Sequence, residues 1–368
     1  MTSRPRVALV GVHGHGRVHL EGLLDRERAG VLDLCGVADR REPDLAGHEF
    51  DTDAVRLLEK TRPDVAVIST PIHTHLEIAE AALSVGAHLL LEKPPVTSVA
   101  DHTRLLAAVE AAERHCQVGF QAFGSTAVDR LIADVSSGRF GEITRVAMSG
   151  CWWRGYDYYE RSPWAGKRVL DGVTVADGAL TNPFAHGVAL ALRLAGGAVR
   201  SVRVEPYRAY DIETDDTSCA RIETDGAEVT LAATLCAERE SEPYVRVFGT
   251  RGTATLWYTE DRLLTITESD EEQVGERVAL IDDLIARLDD DPAADVLKCP
   301  LRSTLAFTEV LEAIQRGPAP SPIPGDHVKS ADGRGRTIPG IGEAVANSVA
   351  TGRLFSELNL PWTRKASA

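Results

Sequence analysis

The chain has 368 residues, more than one ordinary domain holds, so two domains are expected. Apolar residues make up 43% and charged residues 26%, and 40 basic against 55 acidic side chains leave a net charge of −15. This is the composition of a globular protein, and its charge argues against a nucleic-acid partner or an anionic membrane surface. In the first third, short apolar runs predict strands over residues 6–10, 32–37, 65–69, 88–91 and 117–120. Amphipathic stretches predict helices over 16–26, 52–61, 75–85 and 98–114. Runs such as VALV and VAVIS do not alternate, as expected of strands buried on both faces of a parallel sheet. Thr74 three before Glu77 and Ser98 three before Asp101 read as capping boxes. Repeated β-α units imply a doubly wound Rossmann sheet in an N-terminal domain, residues 1–122.

After Phe120 the texture changes. Helices are predicted over 127–136, 182–194, 303–315 and 341–358, with strands over 143–152, 199–204, 218–223, 228–236, 245–248, 253–258 and 263–267. Within 228–235, Val229, Leu231, Ala233 and Leu235 share one face, and Glu228, Thr230 and Thr234 the other. That alternation predicts an open, mostly antiparallel sheet with one wet face, in a C-terminal α+β domain over 123–368. The wet face suggests a homo-oligomer, dimer or tetramer. The 317–325 stretch reads as a loop, and the acidic residues 268–272 and 289–291 as solvated surface.

The first strand runs into Gly11-Val12-His13-Gly14-His15-Gly16. A dinucleotide fingerprint is G-x-G-x-x-G opening a helix, whose N–H groups and dipole favour a pyrophosphate. Gly11 and Gly16 fit its first and third positions. His13 replaces the middle glycine, and Gly14 stands beside it to take over close approach. Asp39 lies at the end of the second strand, about 20 residues past the glycines, where a carboxylate grips ribose hydroxyls. It repels a 2′-phosphate, so NAD is the expected cofactor, with NADP as the alternative because Arg40 and Arg41 follow. Ligands of such sheets gather at the carboxyl ends of the strands. Thr70, Pro71 and His75, then Glu92 and Lys93, and finally Gln121 occupy those ends and complete the expected cofactor contacts.

V-G-x-x-x-x-G-x-x-H, V-A-D-R, S-T-P-x-x-x-H and L-E-K-P follow one another across the first domain. This series resembles the Gfo/Idh/MocA oxidoreductase family, which includes glucose-fructose oxidoreductase and inositol dehydrogenase. The family's second domain carries G-G-x-x-x-D-x-x-x-H. Here Asp177-Gly178 opens the matching stretch, Asn182 replaces the aspartate and His186 matches the histidine. Gln121 stands where many members carry an asparagine followed by an arginine. The resemblance implies hydride transfer between a nicotinamide cofactor and a carbohydrate, polyol or sugar-derivative hydroxyl or carbonyl. In it Lys93 and His186 are catalytic: His186 is the general base, Lys93 stabilises charge on the reacting oxygen, and Asn182 holds a neighbouring hydroxyl. Two other outcomes are used by such proteins: glycosidic cleavage through transient oxidation and elimination, and non-catalytic dinucleotide sensing.

Three of five tryptophans and three of seven tyrosines fall within residues 151–167. Aromatic faces pack on sugar C–H surfaces and arginine forks bind hydroxyls, so Trp153, Arg154 and Trp164 are expected to meet the substrate. Subunit contact or core packing is nearly as good a reading of them. Carboxylates and cysteines do not cluster with His13, His15, His19, His73 and His75, so no metal is expected. The six cysteines form no C-x-x-C pair and read as cytosolic thiols, and the N-terminus has no signal-peptide pattern, so a cytoplasmic location is expected.

Overall fold

A computed structural model describes residues 4–45, 47–294 and 297–363. The chain folds into two compact units, Met1–Gln121 with Val278–Thr308, and Ala122–Arg277 with Glu309–Ala368. The first unit starts with β1 (Arg6–Val10), α1 (Gly16–Arg28), β2 (Asp33–Ala38) and β3 (Phe50–Asp51). It continues with α2 (Ala54–Thr61), β4 (Val65–Ile68), α3 (His75–Ser84), β5 (His88–Leu91), α4 (Val99–Ala112) and β6 (Cys116–Val118). The six strands form one sheet in the order β3-β2-β1-β4-β5-β6, every pair parallel. Between β1 and β4 the connections change side, which makes the ends of these strands the switch point where such sheets bind ligands. Val7, Leu9, Val65 and Val67 are wholly buried, as their unbroken apolar runs require. Ser98 caps α4 through the Asp101 N–H at 3.1 Å. Thr74 does not cap α3; its hydroxyl donates to the Pro71 carbonyl instead, at 2.8 Å.

The second unit contains α5 (Thr126–Ser136), β7 (Ile143–Trp153), α6 (Tyr156–Glu160), the small hairpin β8 (Val169–Leu170) and β9 (Val173–Thr174), and α7 (Ala185–Ala195). Strands β10 (Val199–Arg208), β11 (Thr217–Thr224), β12 (Glu228–Thr234), β13 (Cys236–Gly249), β14 (Gly252–Trp257), β15 (Arg262–Ile266) and β16 (Asp270–Val274) follow. The chain then returns to the first unit with α8 (Leu280–Ile285) and leaves it along α9 (Leu305–Arg316), before β17 (Ser321–Pro322) and α10 (Ile341–Thr351). The large sheet runs β16-β15-β14-β13-β7-β12-β11-β10-β17. Only β7–β12 and β10–β17 pair in parallel, so the sheet is mixed and mostly antiparallel.

Two expectations are corrected here. Residues 278–308 belong with the first unit, not with the 123–368 domain. Leu280, Ile281, Leu284 and Leu297 join the cluster of Val7, Leu9 and Val67, each full burial contributing about 1.5–3 kcal/mol. The wholly buried Gln117 on edge strand β6 accepts from the Cys299 N–H at 2.9 Å and donates to Asp283 at 2.8 Å. Second, the face of β12 read as wet is covered. Thr230 and Thr234 are wholly buried, because α10, Phe355 and Trp362 close over the face of Ala232 and Cys236. That face of β12 is therefore not open to a second subunit. The acidic stretch 268–272 is largely exposed, as expected, and runs into an edge strand, β16. Among the described residues no helix is long and apolar enough to cross a membrane.

Candidate active site

The glycine turn lies where β1 gives way to α1. Gly14 takes φ +62°, a left-handed conformation that suits glycine, and a Cβ there would meet nothing within 4 Å. At Gly16 the limit is contact: a Cβ would lie 2.0 Å from the Gly11 carbonyl oxygen. The turn is thus open at its tip and tight at its base, which fits a pyrophosphate approaching the backbone. The substitution of the middle glycine by His13 is absorbed by Asp39. Asp39 Oδ2 accepts from the Val12 N–H at 2.8 Å and lies 3.0 Å from His13 Nδ1, so the imidazole leans on the carboxylate. Burial pushes the Asp39 carboxyl up, but the His13 and backbone hydrogen bonds outweigh it and hold it below its ordinary value. It is therefore ionised at neutral pH, as a ribose-gripping and phosphate-repelling group must be.

Glu92 and Lys93 follow β5 directly, and the Lys93–Pro94 peptide is cis. Glu92 is 6% exposed, and its Oε1 lies 2.7 Å from His19 Nε2 and 3.5 Å from His15 Nε2. Its other oxygen accepts from the Lys93 N–H at 3.1 Å. Gly119 leaves room for the group, since a Cβ there would lie 2.7 Å from Oε1. Burial raises the Glu92 carboxyl, but the two histidines outweigh it and hold it well below the carboxylate range. In return the hydrogen bond to Glu92 raises His15. The expectation that no carboxylate joins these histidines is thus overturned: His15 and His19, one helical turn apart, converge on Glu92. The three ligand atoms lie within 4.8 Å of one another. Two tetrahedral zinc ligands at 2.0–2.1 Å from the metal lie about 3.3 Å apart. The 2.7 Å separation is instead that of a direct hydrogen bond, so the trio as folded holds Lys93's neighbour in place.

The other strand-end residues divide by exposure. His13, Gly14, Arg40 and Pro71 are exposed, and Asp39, Thr70, Lys93 and Gln121 are half-buried, so all can meet a cofactor. Gly11, Gly16, Glu92 and His75 are buried and support them. His75 is corrected from contact to support. It is 1% exposed, with Nδ1 3.1 Å from the Pro94 and Pro95 carbonyls and Nε2 2.9 Å from that of Thr70. Burial lowers its basicity. It ties the exit of β5 to that of β4.

In the second unit, Asn182 lies in the turn before α7 and not on the helix. Pro183 lacks an N–H and disfavours helical backbone at the residue before it, so the helix begins at Ala185. His186 occupies its first turn and is half-buried. Asn182 Nδ2 donates to Asp177 Oδ1 at 2.9 Å. Asp177 has a side chain only 3% exposed, pairs with Arg161 at 3.3 Å and accepts from the Gly166 N–H at 2.6 Å. The Arg161 guanidinium lies 3.6 Å from the Tyr158 ring centre and 4.6 Å from that of Trp164. Trp164 thus belongs to the cluster around Asn182. Arg154 reaches its fringe, 5.8 Å from the same Tyr158 ring. Trp153 does not: its Nε1 donates to the Arg336 carbonyl at 3.2 Å. Strand alternation puts its neighbour Trp152 on the opposite face, with its ring 4.5 Å from Phe184. Sequence reasoning passed over Asp177, Arg161 and Trp152. The alternation within β7 could have separated Trp152 from Trp153; no local pattern marked the other two.

A parallel sheet with a glycine turn at its switch point and an ionised carboxylate after β2 defines a dinucleotide-binding domain. The second unit, with its mixed sheet and Asn182–His186 segment, accompanies it. Residues 5–120 match the family model described as "Oxidoreductase family, NAD-binding Rossmann fold", and residues 128–255 match the "GFO/IDH/MocA C-terminal domain". The chain belongs to the Gfo/Idh/MocA family, and its first unit is an NAD-binding Rossmann domain. Among curated relatives it is 30% identical over 157 residues to "Glycosyl hydrolase family 109 protein 2" of Phocaeicola vulgatus, covering 38% of this chain and 37% of that protein. It is 33% identical over 125 residues to "Inositol 2-dehydrogenase 1" of Saccharopolyspora erythraea, covering 33% of this chain and 37% of the relative. The chain thus spans little more than a third of the length of these relatives. Among solved structures, the WlbA dehydrogenase of Bordetella pertussis, crystallised with NADH and UDP-GlcNAcA, superposes with a TM-score of 0.69. Its identity is 23%, over 85% of this chain and 96% of that one. At that identity the likeness concerns the fold.

Proposed function

We propose that the protein is an NAD-dependent oxidoreductase acting on a CH–OH group of a carbohydrate or sugar derivative. The observation that carries this reading is Lys93 at the end of β5, with its preceding carboxylate locked by His15 and His19. NAD, which the Gly11–Gly16 turn and Asp39 would hold, would supply the acceptor for a hydride from the carbinol carbon. His186 takes the hydroxyl proton as the general base. Lys93 hydrogen-bonds the reacting oxygen and stabilises the negative charge that develops as its proton leaves. Asn182 holds a neighbouring group, and Trp152, Trp164 and Arg154 supply sugar-facing aromatic and guanidinium surface. Asp39 selects NAD over NADP. Intact Lys93 and His186 speak against a purely regulatory dinucleotide sensor.

The glycosyl hydrolase names among the relatives favour one second reading, in which the same residues oxidise a sugar transiently so that a glycosidic bond can be eliminated. A panel of sugars, polyols and glycosides with NAD and NADP tests both. Accumulating reduced nicotinamide supports net dehydrogenation. Bond cleavage without net change in cofactor supports the second reading. A protein that binds NAD but transforms none of the panel counts against both.

A further inference from the structure

We propose that His15, His19 and Glu92 form a binding site for a divalent transition-metal ion of the Zn²⁺ class, beside Lys93. Among the described residues no other trio of histidine, cysteine or carboxylate side chains is close enough to share an ion. Two separate elements supply the three ligands. His15 closes the glycine turn with helical backbone, φ −65° and ψ −29°, directly ahead of α1, and His19 lies one turn further on. Residues at i and i+4 share a helix face, the spacing at which two imidazoles ligate one ion. Glu92 arrives from the end of β5. Both imidazole Nε2 atoms lie beside the same oxygen, Glu92 Oε1, at 3.5 Å for His15 and 2.7 Å for His19. The two rings stand at 90° with centres 5.4 Å apart, so they do not stack face to face.

Two imidazoles and one carboxylate are a donor set that zinc takes with a fourth position left open. Mg²⁺ and Ca²⁺ prefer oxygen ligands throughout, so the trio discriminates against them. The His15–Glu92 separation of 3.5 Å already matches that of two ligands on one zinc ion. The His19–Glu92 pair, at 2.7 Å, needs to open by about 0.6 Å, and the ion takes the place of the hydrogen-bonding proton. Exposure suits this exchange. The His15 side chain is 61% exposed and free to move with an entering ion, whereas those of His19 and Glu92 are 12% and 8% exposed and preordered. Glu92 meets the trio through Oε1, while its other oxygen keeps the Lys93 N–H at 3.1 Å. Ligation therefore leaves that contact in place. The Lys93 ammonium opposes a further cation near His15, and the ionised Glu92 favours one. With three ligands and a cation nearby, the site is expected to bind reversibly, unlike a closed four-ligand site.

The test is a calorimetric titration of the chelator-treated full chain with Zn²⁺. A single saturable site is expected, with protons released as the ion replaces them, read from the dependence of the heat on the buffer. Mg²⁺ in excess should not displace the zinc. His15→Ala changes an exposed side chain and leaves the His19–Glu92 pair to hold the fold. It should weaken Zn²⁺ binding at least as much as losing an outer partner of a metal ligand does, about 10- to 100-fold. His19→Ala and Glu92→Gln should weaken it by a similar or larger factor. His13→Ala removes a neighbouring imidazole that is no ligand and should leave the affinity unchanged. X-ray absorption at the zinc edge of the one-to-one complex should show imidazole nitrogen and carboxylate oxygen neighbours. Unchanged affinity in His15→Ala, sulfur in the zinc shell, or no saturable binding by the folded wild type would each overturn the proposal. None of these readouts involves turnover, so the site stands or falls separately from the oxidoreductase reading.

Discussion

Glu92 and Asp177 are both buried carboxylates beside a residue assigned to chemistry, yet their partners differ in kind. Glu92 is held by the imidazoles of His15 and His19, and its hydrogen bond to His15 raises that histidine above its ordinary value. Asp177 is held by a guanidinium, a backbone N–H and an amide, none of which changes charge in the physiological range. The contrast teaches that the carboxylate beside Lys93 depends on partners that can change charge, while the Asp177–Asn182 contact does not. Each variant below should strike one region and leave the other.

The largest loss should follow Lys93→Met. Removing one preorganised electrostatic partner costs about 10²–10³ in turnover. NAD affinity, measured by calorimetry, should stay within about threefold. Next comes His186→Ala, which should cost about 10² in alcohol oxidation. The rise of the wild-type rate with pH, as the imidazole loses its proton, should vanish in this variant. A limb that survives would assign the proton to another group.

Glu92→Gln should act mainly on stability, and the sign follows from the shifts. Glu92 is lowered on folding, so its contribution is present above the ordinary 4.5 and is lost as pH falls through the folded value. His15 is raised, so its share is present below the ordinary 6.5 and is lost as pH rises through the folded value. Both operate together between about pH 4.5 and 6.5. There Glu92→Gln should lower Tm by about 2–4 °C, the loss of a charge-assisted hydrogen bond in a chain of this size. The gap should narrow above pH 7, and a gap independent of pH would show that the histidines do not carry it. The smallest effect is expected from Asp39→Ser, which should narrow the preference for NAD over NADP by about tenfold through the NADP KM. Tighter NADP binding by the wild type would shift the cofactor assignment to Arg40 and Arg41.

The Rossmann half was legible because its signals are local. VALV and VAVIS reveal strands buried on both faces, and the glycine turn, Asp39 and Glu92-Lys93 each sit at a strand end. What escaped was non-local. Nothing in residues 278–308 shows that Leu280 and Leu284 pack beside Val7 and Leu9. The polar face of β12 reads as wet, since its cover arrives more than a hundred residues later with α10. His15 and His19 carry no hint of Glu92, which lies 73 residues beyond His19. Asn182 was placed on a helix because i and i+4 periodicity outweighed Pro183, which in the fold delays the helix to Ala185. Asp177 was passed over because an aspartate before a glycine resembles any turn.

The central claim is that a hydride leaves a carbohydrate carbon for the nicotinamide. It is tested most directly with a substrate carrying deuterium at the carbinol carbon, incubated with NAD and followed by mass spectrometry and nicotinamide NMR. Deuterium is expected at nicotinamide C4, with a slowed rate for the labelled substrate and both signals lost in Lys93→Met. Product formation with all deuterium retained at that carbon and none passing through the cofactor would contradict it.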